Sequence, residues 1–203
     1  MESPVGQVLT ALARNAVETG FAPRPPHAAE LVERLAPHSM CETLERPAAT
    51  FVTLERRRRL RGCIGTLTAL RPLAADVVRN ARHAARDPRM APVEAAELPE
   101  LTVTVAVLSA PDSLAVPSFS ALFELLRPGT DGLTLHGTER RKATFLPSVW
   151  HALREPERFV TALLRKGGWP RALWSADLRS VPWPEGLAAE RYTTESFSAR
   201  RAA

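Results

Sequence analysis

Cysteine is scarce in this chain, and long apolar runs are absent. Only Cys41 and Cys63 occur among the 203 residues, too few for a disulfide framework, so we expect free thiols in a reducing compartment. No apolar run approaches the roughly 20 residues that a membrane-spanning helix requires. The opening residues, Met1 to Pro4, do not have the pattern of a signal peptide. These absences predict a cytoplasmic protein with no membrane association.

Lysine is also rare, although the chain is basic. Lys142 and Lys166 are the only lysines, yet arginine brings the net charge to +5 and the isoelectric point near 10.2. Such a charge permits binding to a polyanion without identifying one. The run from Arg56 to Arg59 is interpreted either as a solvated hairpin turn or as a phosphate-binding patch. Because no aromatic residues interleave with it, nucleic acid binding is only weakly supported.

Helical periodicity is present in a composition typical of globular proteins, with 45% hydrophobic and 24% charged residues. Within residues 1–20, apolar residues recur on one face, Ser3 suits the cap, Pro4 the first helical position and Gly20 the residue after the end. We therefore expect an N-terminal helix packed on the rest of the domain. Further helices are predicted from His27 to Leu35, from Pro72 to before Asp87, from Phe119 to Leu126, from Ser148 to Leu153 and from Pro156 to Lys166.

Alternating apolar and polar residues predict the strands. Residues 51–55 and 60–68 indicate a hairpin, residues 101–107 form the clearest single strand, and residues 132–135 with 143–146 indicate a second hairpin. A last strand is predicted over residues 191–197. Hairpins outnumber the crossovers that a parallel sheet needs, so an antiparallel α+β fold is favoured over a doubly wound one.

The segment from Leu60 to Gly65 is the strongest candidate for a site. In a strand, Arg61 and Cys63 point to one face while Leu60 and Ile64 point to the other. A guanidinium near the sulfur favours the thiolate and raises its reactivity. Gly62 and Gly65 lack a Cβ, which leaves the backbone open to a ligand or free to bulge. The alternative is that Cys63 is a small buried core residue, as free cysteines often are.

Other chemical patterns in the sequence are weaker. Of the five histidines, His83 lies nearest downstream of Cys63, but a surface or capping role suits it better than catalysis. His38 and Cys41 form a close pair without the second pair that a zinc site needs, so no metal is expected. No phosphate loop or dinucleotide fingerprint occurs, so no cofactor is expected. Arg89 serves either in a turn with Asp87 or as the lining of an anion pocket.

Seven short blocks in the chain match the AMMECR domain family in the family's order. The resemblance covers most of the chain and identifies residues 1–203 as one AMMECR-type domain. The blocks are Phe51–Leu54, Leu60–Thr66, Asp87–Arg89, Glu97–Leu101, Asp131–Leu133, Ala143–Pro147 and Leu164–Gly168.

The resemblance implies an architecture and a pathway, but not a reaction. It implies a larger lobe in which helices flank an antiparallel sheet, and a smaller α/β lobe beside it. Similar proteins in bacteria and archaea are often encoded beside a Memo-like protein and a radical SAM enzyme. These two proteins are therefore the partners that the resemblance implies.

Two hypotheses follow for the function. In the first, the chain is an enzyme or enzyme subunit in which Cys63 is a nucleophile or thiol ligand and Arg61 stabilises its anion or a substrate carboxylate. In the second, it is a non-catalytic regulatory or binding protein. There, Arg61, Arg89 and the backbone at Gly62 and Gly65 hold a protein partner, a small ligand or nucleic acid.

Overall fold

The computed structural model describes residues 3–138, 140–174 and 177–200. The chain divides into two compact units. One comprises Met1–Leu108 with Glu195–Ala203, and the other comprises Ser109–Thr194. Each unit has its own hydrophobic core and its own sheet.

Helices cover one face of the sheet in the first unit. The apolar stripe of the N-terminal helix packs against a second long helix and against the sheet, so Leu9, Leu12 and Ala16 are fully buried. Pro4 opens that helix, as expected from its fixed φ. The helices are α1 (Pro4–Glu18), α2 (Ala28–Leu35), α3 (Cys41–Glu45) and α4 (Leu73–Ala84), with 3₁₀ segments at Thr19–Phe21, His38–Met40 and Ala95–Glu100.

The first sheet contains four strands in the order β2-β1-β3-β8, which places β2 at an edge. Strand β1 pairs antiparallel with both β2 and β3. Val52 and Leu54 of β1 are fully buried with Val105 of β3, and they define the face that meets the helices. The strands are β1 (Thr50–Arg56), β2 (Arg59–Gly65), β3 (Leu101–Leu108) and β8 (Thr194–Arg200).

The arginine run forms the turn between β1 and β2. Arg57 and Arg58 both have positive φ, at 50° and 65°, as the two-residue turn of a tight hairpin requires. Arg56 and Arg57 form ion pairs with Glu100, at 2.6 and 2.7 Å. Two of the four arginines in the predicted basic run are therefore ion-paired, and they share one carboxylate.

A buried polar cluster attaches helix α4 to the first sheet. Asp76 accepts hydrogen bonds from the Thr50 amide at 3.0 Å and from the Thr66 hydroxyl at 2.6 Å. Asn80, one turn later, donates to the Thr50 carbonyl at 3.0 Å. Because buried polar groups need such partners, the cluster fixes α4 against β1 in one register.

The second unit contains the other sheet, in the order β4-β7-β5-β6, with antiparallel pairing throughout. Its core includes the stacked pair Trp150 and Phe159, whose ring centroids are 3.8 Å apart. The elements are β4 (Asp112–Leu114), α5 (Phe119–Leu125), β5 (Gly132–His136), β6 (Lys142–Phe145), a 3₁₀ segment at Pro147–His151, α6 (Pro156–Lys166), α7 (Arg171–Trp174) and β7 (Ala188–Tyr192).

The predicted α+β class with antiparallel sheets is confirmed, but the last strand was predicted wrongly. Residues 191–197 do not form one strand. The chain instead completes β7 in the second sheet and begins β8 at Thr194 in the first. Among the described residues, no helix combines the length and apolar character needed to cross a bilayer.

Candidate functional site

Cys63 lies on the edge strand β2, on the sheet face opposite the core. Its cross-strand partner is Thr53, whereas the neighbouring pair, Val52 and Ile64, faces the helices. Paired residues in an antiparallel sheet project to the same side, so the Cys63 thiol and the Thr53 hydroxyl are neighbours. The thiol is half-buried. The alternation of the sequence therefore placed Cys63 and Ile64 on opposite faces correctly.

The Thr53 hydroxyl donates a hydrogen bond to the Cys63 sulfur, with Oγ1 and Sγ 3.2 Å apart. A sulfur that accepts a hydrogen bond keeps that contact when it loses its proton, because a thiolate is the stronger acceptor. Further hydroxyl groups lie on the same face of the sheet. Thr104 of β3 lies opposite Thr53, and its hydroxyl donates to the Ser198 hydroxyl at 3.0 Å. The sulfur thus ends a row of hydroxyl groups that crosses the sheet.

A β-bulge interrupts β2 two residues before the cysteine. Leu54 pairs with Gly62 and Glu55 pairs with Leu60, so Arg61 has no partner on β1. The inserted residue reverses the alternation of β2, so residues before the bulge project to the face opposite the one that a regular strand would give them. Leu60 therefore lies on the same face as its partner Glu55, with 43% of its surface exposed. The expectation that Leu60 and Ile64 share a face was therefore wrong, because the alternation of a regular strand does not survive an inserted residue.

Arg61 is held by Glu97 rather than by the thiol. Its Nε and Nη2 donate to the two carboxylate oxygens of Glu97 at 2.8 and 2.7 Å, and Nη1 donates to the Ala91 carbonyl at 3.2 Å. The hydrogen bonds from Arg61 lower the pKa of Glu97 from its ordinary value of 4.5 to about 2. This two-point ion pair fixes the 3₁₀ segment of Glu97 against the bulge.

Asp87 and Arg89 cover the free edge of β2 at Cys63. Asp87 Oδ2 accepts from the Cys63 amide at 3.0 Å, and Arg89 Nη2 donates to the Cys63 carbonyl at 2.9 Å. Between them, Arg89 Nη2 and Asp87 Oδ2 are 2.6 Å apart. An exposed strand edge would otherwise leave these backbone groups unpaired. The two side chains therefore take the place of a neighbouring strand.

The charges of this edge pair stabilise each other. The Arg89 guanidinium, with help from the Cys63 amide, holds the pKa of the buried Asp87 carboxyl far below its ordinary range. The pKa of Arg89 is raised, mainly by its hydrogen bond to Asp87 and to a smaller extent by the charge of Cys63. The predicted anion-binding arginine is therefore engaged by a buried carboxylate and by the Cys63 carbonyl.

Both glycines near the thiol are required by close packing. A Cβ on Gly62 would collide with the carbonyl oxygen of Ala84 at the end of α4, and a Cβ on Gly65 would run into the ring of Phe51. The space expected to admit a ligand at these two positions is filled by the protein's own backbone and side chain.

The histidines described by the structure have contacts that do not involve Cys63. Within the described part of the chain, no imidazole hydrogen-bonds to the Cys63 sulfur. His136 contacts Glu190 at 2.7 Å, and His38 lies 3.9 Å from the Cys41 sulfur. The pKa of His83 on α4 is lowered by burial, with Arg79 and Arg86 adding to the effect. No group of three or more His, Cys, Asp or Glu side chains within the described residues has a metal-binding arrangement.

Sequence reasoning did not single out Thr53 or assign a partner to Asp87. A signal for Thr53 was available, because the two alternating strands place Thr53 and Thr104 on the face of the cysteine once they are paired. No comparable signal existed for the contact of Asp87 with the Cys63 amide. It joins residues 24 positions apart and depends on how α4 ends.

Comparisons with known proteins agree on one family. The family model AMMECR1 matches residues 10–197. A protein from Methanothermobacter thermautotrophicus is 33% identical over 171 residues, which cover 81% of this chain and 83% of that protein. One from Thermofilum pendens is 31% identical, with 95% and 88% covered. The crystal structure of an uncharacterised protein from Pyrococcus horikoshii superposes with a TM-score of 0.81 at 27% identity, covering 98% of this chain and 93% of that one.

Proposed function

The chain belongs to the AMMECR1 family, and on that premise we propose that it is a cytoplasmic thiol-dependent enzyme or enzyme subunit centred on Cys63. The observation that carries the proposal is the hydrogen bond from the Thr53 hydroxyl to the Cys63 sulfur, on the sheet face away from the core. A cysteine kept only for packing would lie on the face of Val52 and Leu54.

The chemistry that suits this sulfur is nucleophilic attack on an electrophilic carbon. A carbon–sulfur bond forms, the bond to the leaving group breaks with its electron pair, and the thiol proton passes to water. Cysteine is nucleophilic enough to act without a contacting histidine, provided that its anion is stabilised. Thr53 supplies a donor and Arg89 supplies positive charge. We assign this charge to Arg89 rather than Arg61, because Arg89 donates to the Cys63 carbonyl. Both guanidinium groups are held by carboxylates, Arg61 by Glu97 and Arg89 by Asp87.

Joint action with a Memo-like protein and a radical SAM enzyme is part of the proposal. Its support is the resemblance to proteins that are often encoded beside those two. Such an arrangement fits a subunit that receives or passes on a group through a thiol.

The first test is alkylation of Cys63 in the folded protein. Cys41→Ser removes the other thiol. We expect iodoacetamide to label Cys63 at pH 7 in the absence of denaturant, with circular dichroism confirming that the fold persists. Labelling that begins only when the protein unfolds would contradict the proposal, because the sulfur would then be inaccessible to a substrate.

Thr53→Val tests the hydrogen bond itself, in the same Cys41→Ser background. One hydrogen bond contributes about 1 kcal/mol, so we expect the alkylation rate at pH 7 to fall roughly 3- to 10-fold. Thr104→Val is the matched control, because Thr104 lies one strand further along the same face and donates to Ser198 instead. Equal slowing in both variants would assign the effect to the sheet rather than to the thiol.

A non-catalytic binding role is the second candidate. The guanidinium groups of Arg61 and Arg89 are paired with carboxylates, while Arg58 and Arg59 are exposed at the hairpin and form no ion pair with the residues described. The positive charge of Arg58 and Arg59, called here the hairpin tip, favours binding of an anionic protein, small ligand or nucleic acid. Cys63→Ser separates the candidates, since it should abolish a thiol-dependent reaction and leave binding at the tip unchanged.

A further inference from the structure

A groove in the first unit has a chemistry unlike the rest of this basic chain. It lies between α2, α3 and the start of α4 and has a volume of about 430 Å³. Its apolar surface includes Ala28, Val32 and Leu44 from α2 and α3, together with Ala74 from α4. This volume falls in the range of small-molecule sites. None of the residues of the Cys63 strand lines the groove, and the groove plays no part in the function proposed above.

Two glutamates and one histidine, His38, line the groove. Glu33 of α2 and Glu45 of α3 line it, and both are exposed. Neither carboxylate forms an ion pair within the described ranges, whereas the nearby Glu42 pairs with Arg46 at 2.6 Å. Among the described lining residues there is no arginine or lysine, although the chain carries 27 of them. The groove is therefore apolar on its walls and negative at its rim.

From this combination we propose that the groove binds an aliphatic di- or polyamine. The methylene chain of such a ligand covers the methyl-rich walls, and its ammonium groups pair with Glu33 and Glu45. A simple cation would gain nothing from the apolar walls. A purely apolar ligand would gain nothing from the two carboxylates.

A cysteine in the groove allows ligand binding to be measured. Cys41 lines it, and the Cys41 sulfur lies 3.9 Å from His38 Nδ1. A ligand that fills the groove covers this half-buried thiol. In a Cys63→Ser background, the alkylation rate of Cys41 therefore measures occupancy of the groove.

The experiment titrates the full chain with spermidine and with 1,6-diaminohexane. It follows Cys41 alkylation and the backbone amide resonances of the ¹⁵N-labelled protein. We expect saturable slowing of alkylation and saturable shifts confined to α2, α3 and the first turn of α4. Hexylamine, with one charge, should bind about 2- to 5-fold more weakly, since it forms one exposed ion pair fewer. Hexanol and magnesium chloride should give no protection.

Variants decide whether the rim carboxylates are responsible. Glu33→Gln and Glu45→Gln should each weaken diamine binding roughly 2- to 5-fold, because each removes one exposed ion pair. Glu30→Gln is the matched control, because it removes the same charge from α2 outside the groove. All three residues are exposed, so the thermal midpoints should remain close to that of the parent protein. Protection by magnesium equal to that by diamine, or equal weakening by Glu30→Gln, would overturn the proposal. Absence of saturable shifts in α2 and α3 would do the same.

Discussion

Gly62 shows at the scale of one residue how the cysteine strand is held. The missing side chain lets β2 lie directly against the end of α4, where the Ala84 carbonyl occupies the position that a Cβ would take. Because the obstacle is backbone rather than a flexible side chain, it cannot move aside without shifting the helix. The same approach brings Asp87, three residues after Ala84, within reach of the Cys63 amide.

We predict that Gly62→Ala lowers the free energy of unfolding by about 1–3 kcal/mol, the usual cost of forcing an atom into a packed site. Urea unfolding followed by circular dichroism measures this loss. Gly20→Ala is the control, because a Cβ there meets its nearest atom, Arg82 Cγ, at an ordinary 3.9 Å. Equal stability of the two variants would show that β2 and α4 have room to separate.

Residue-scale prediction from the sequence succeeded where one strand's geometry was sufficient. Alternation placed Cys63 opposite Ile64, and the structure agrees. Alternation failed at Leu60, because the bulge at Arg61 depends on pairing with a second strand and leaves no mark in a single segment. The partner of Arg61, Glu97, lies 36 residues away.

At the scale of elements, ion pairs attach irregular segments to the edge of the first sheet. Glu97 belongs to a 3₁₀ segment, and its side chain is only 11% exposed while it binds Arg61. Its capping box with Glu94 further fixes the carboxylate, which accepts from the Glu94 amide at 2.9 Å. Such a carboxylate makes the stability of the unit depend on pH.

We predict that this dependence appears below about pH 5. The folded-state pKa of Glu97 is about 2, below its ordinary value of 4.5. The carboxylate therefore contributes fully above the unfolded-state pKa, and its contribution is lost as the pH falls towards 2. The shift corresponds to at most about 3 kcal/mol, of which about 2 kcal/mol is lost by pH 3. Urea unfolding at pH 6 and pH 3 measures the difference.

Glu97→Gln should remove this part of the pH dependence and leave that of the other carboxyl groups. Glu100→Gln is a suitable comparison, since Glu100 pairs with Arg56 and Arg57 at a more exposed position, with 35% of its side chain accessible. We expect Glu100→Gln to retain most of the parent's loss between pH 6 and pH 3. A Glu97→Gln protein with the same loss as the parent would contradict the assignment.

Element prediction was accurate where the pattern was long and local. Helices α1, α2 and α4 and strands β1 and β3 begin and end within a few residues of their predicted bounds. The prediction of the final strand failed because residues 191–197 carry no local signal that divides them, and their division between two sheets depends on distant partners. The short elements α3 and β4 carry too few residues for a periodic signal.

At the scale of the whole molecule, the second unit is an insertion in the chain of the first. The two ends of the inserted segment lie together, because the Ser109 amide donates to the Thr193 carbonyl at 3.0 Å and the Thr193 amide donates to Ser109 Oγ at 3.0 Å. Joined ends and a separate core are the features of a segment that folds alone. The local pattern of helices and strands could not reveal this insertion, because it does not show that β8 joins the sheet of β1, β2 and β3 from the far side of the inserted segment.

We predict that residues 109–194, expressed alone, fold cooperatively. All four tryptophans and the one tyrosine of the protein lie in this segment, so intrinsic fluorescence reports on it directly. The fragment should show one sigmoidal urea transition. Phe159→Ala should shift that transition to lower urea or abolish it, because removing a buried aromatic side chain costs about 3–5 kcal/mol and Phe159 stacks on Trp150. A gradual fluorescence change that Phe159→Ala leaves unaltered would show that the core of the second unit requires the rest of the chain.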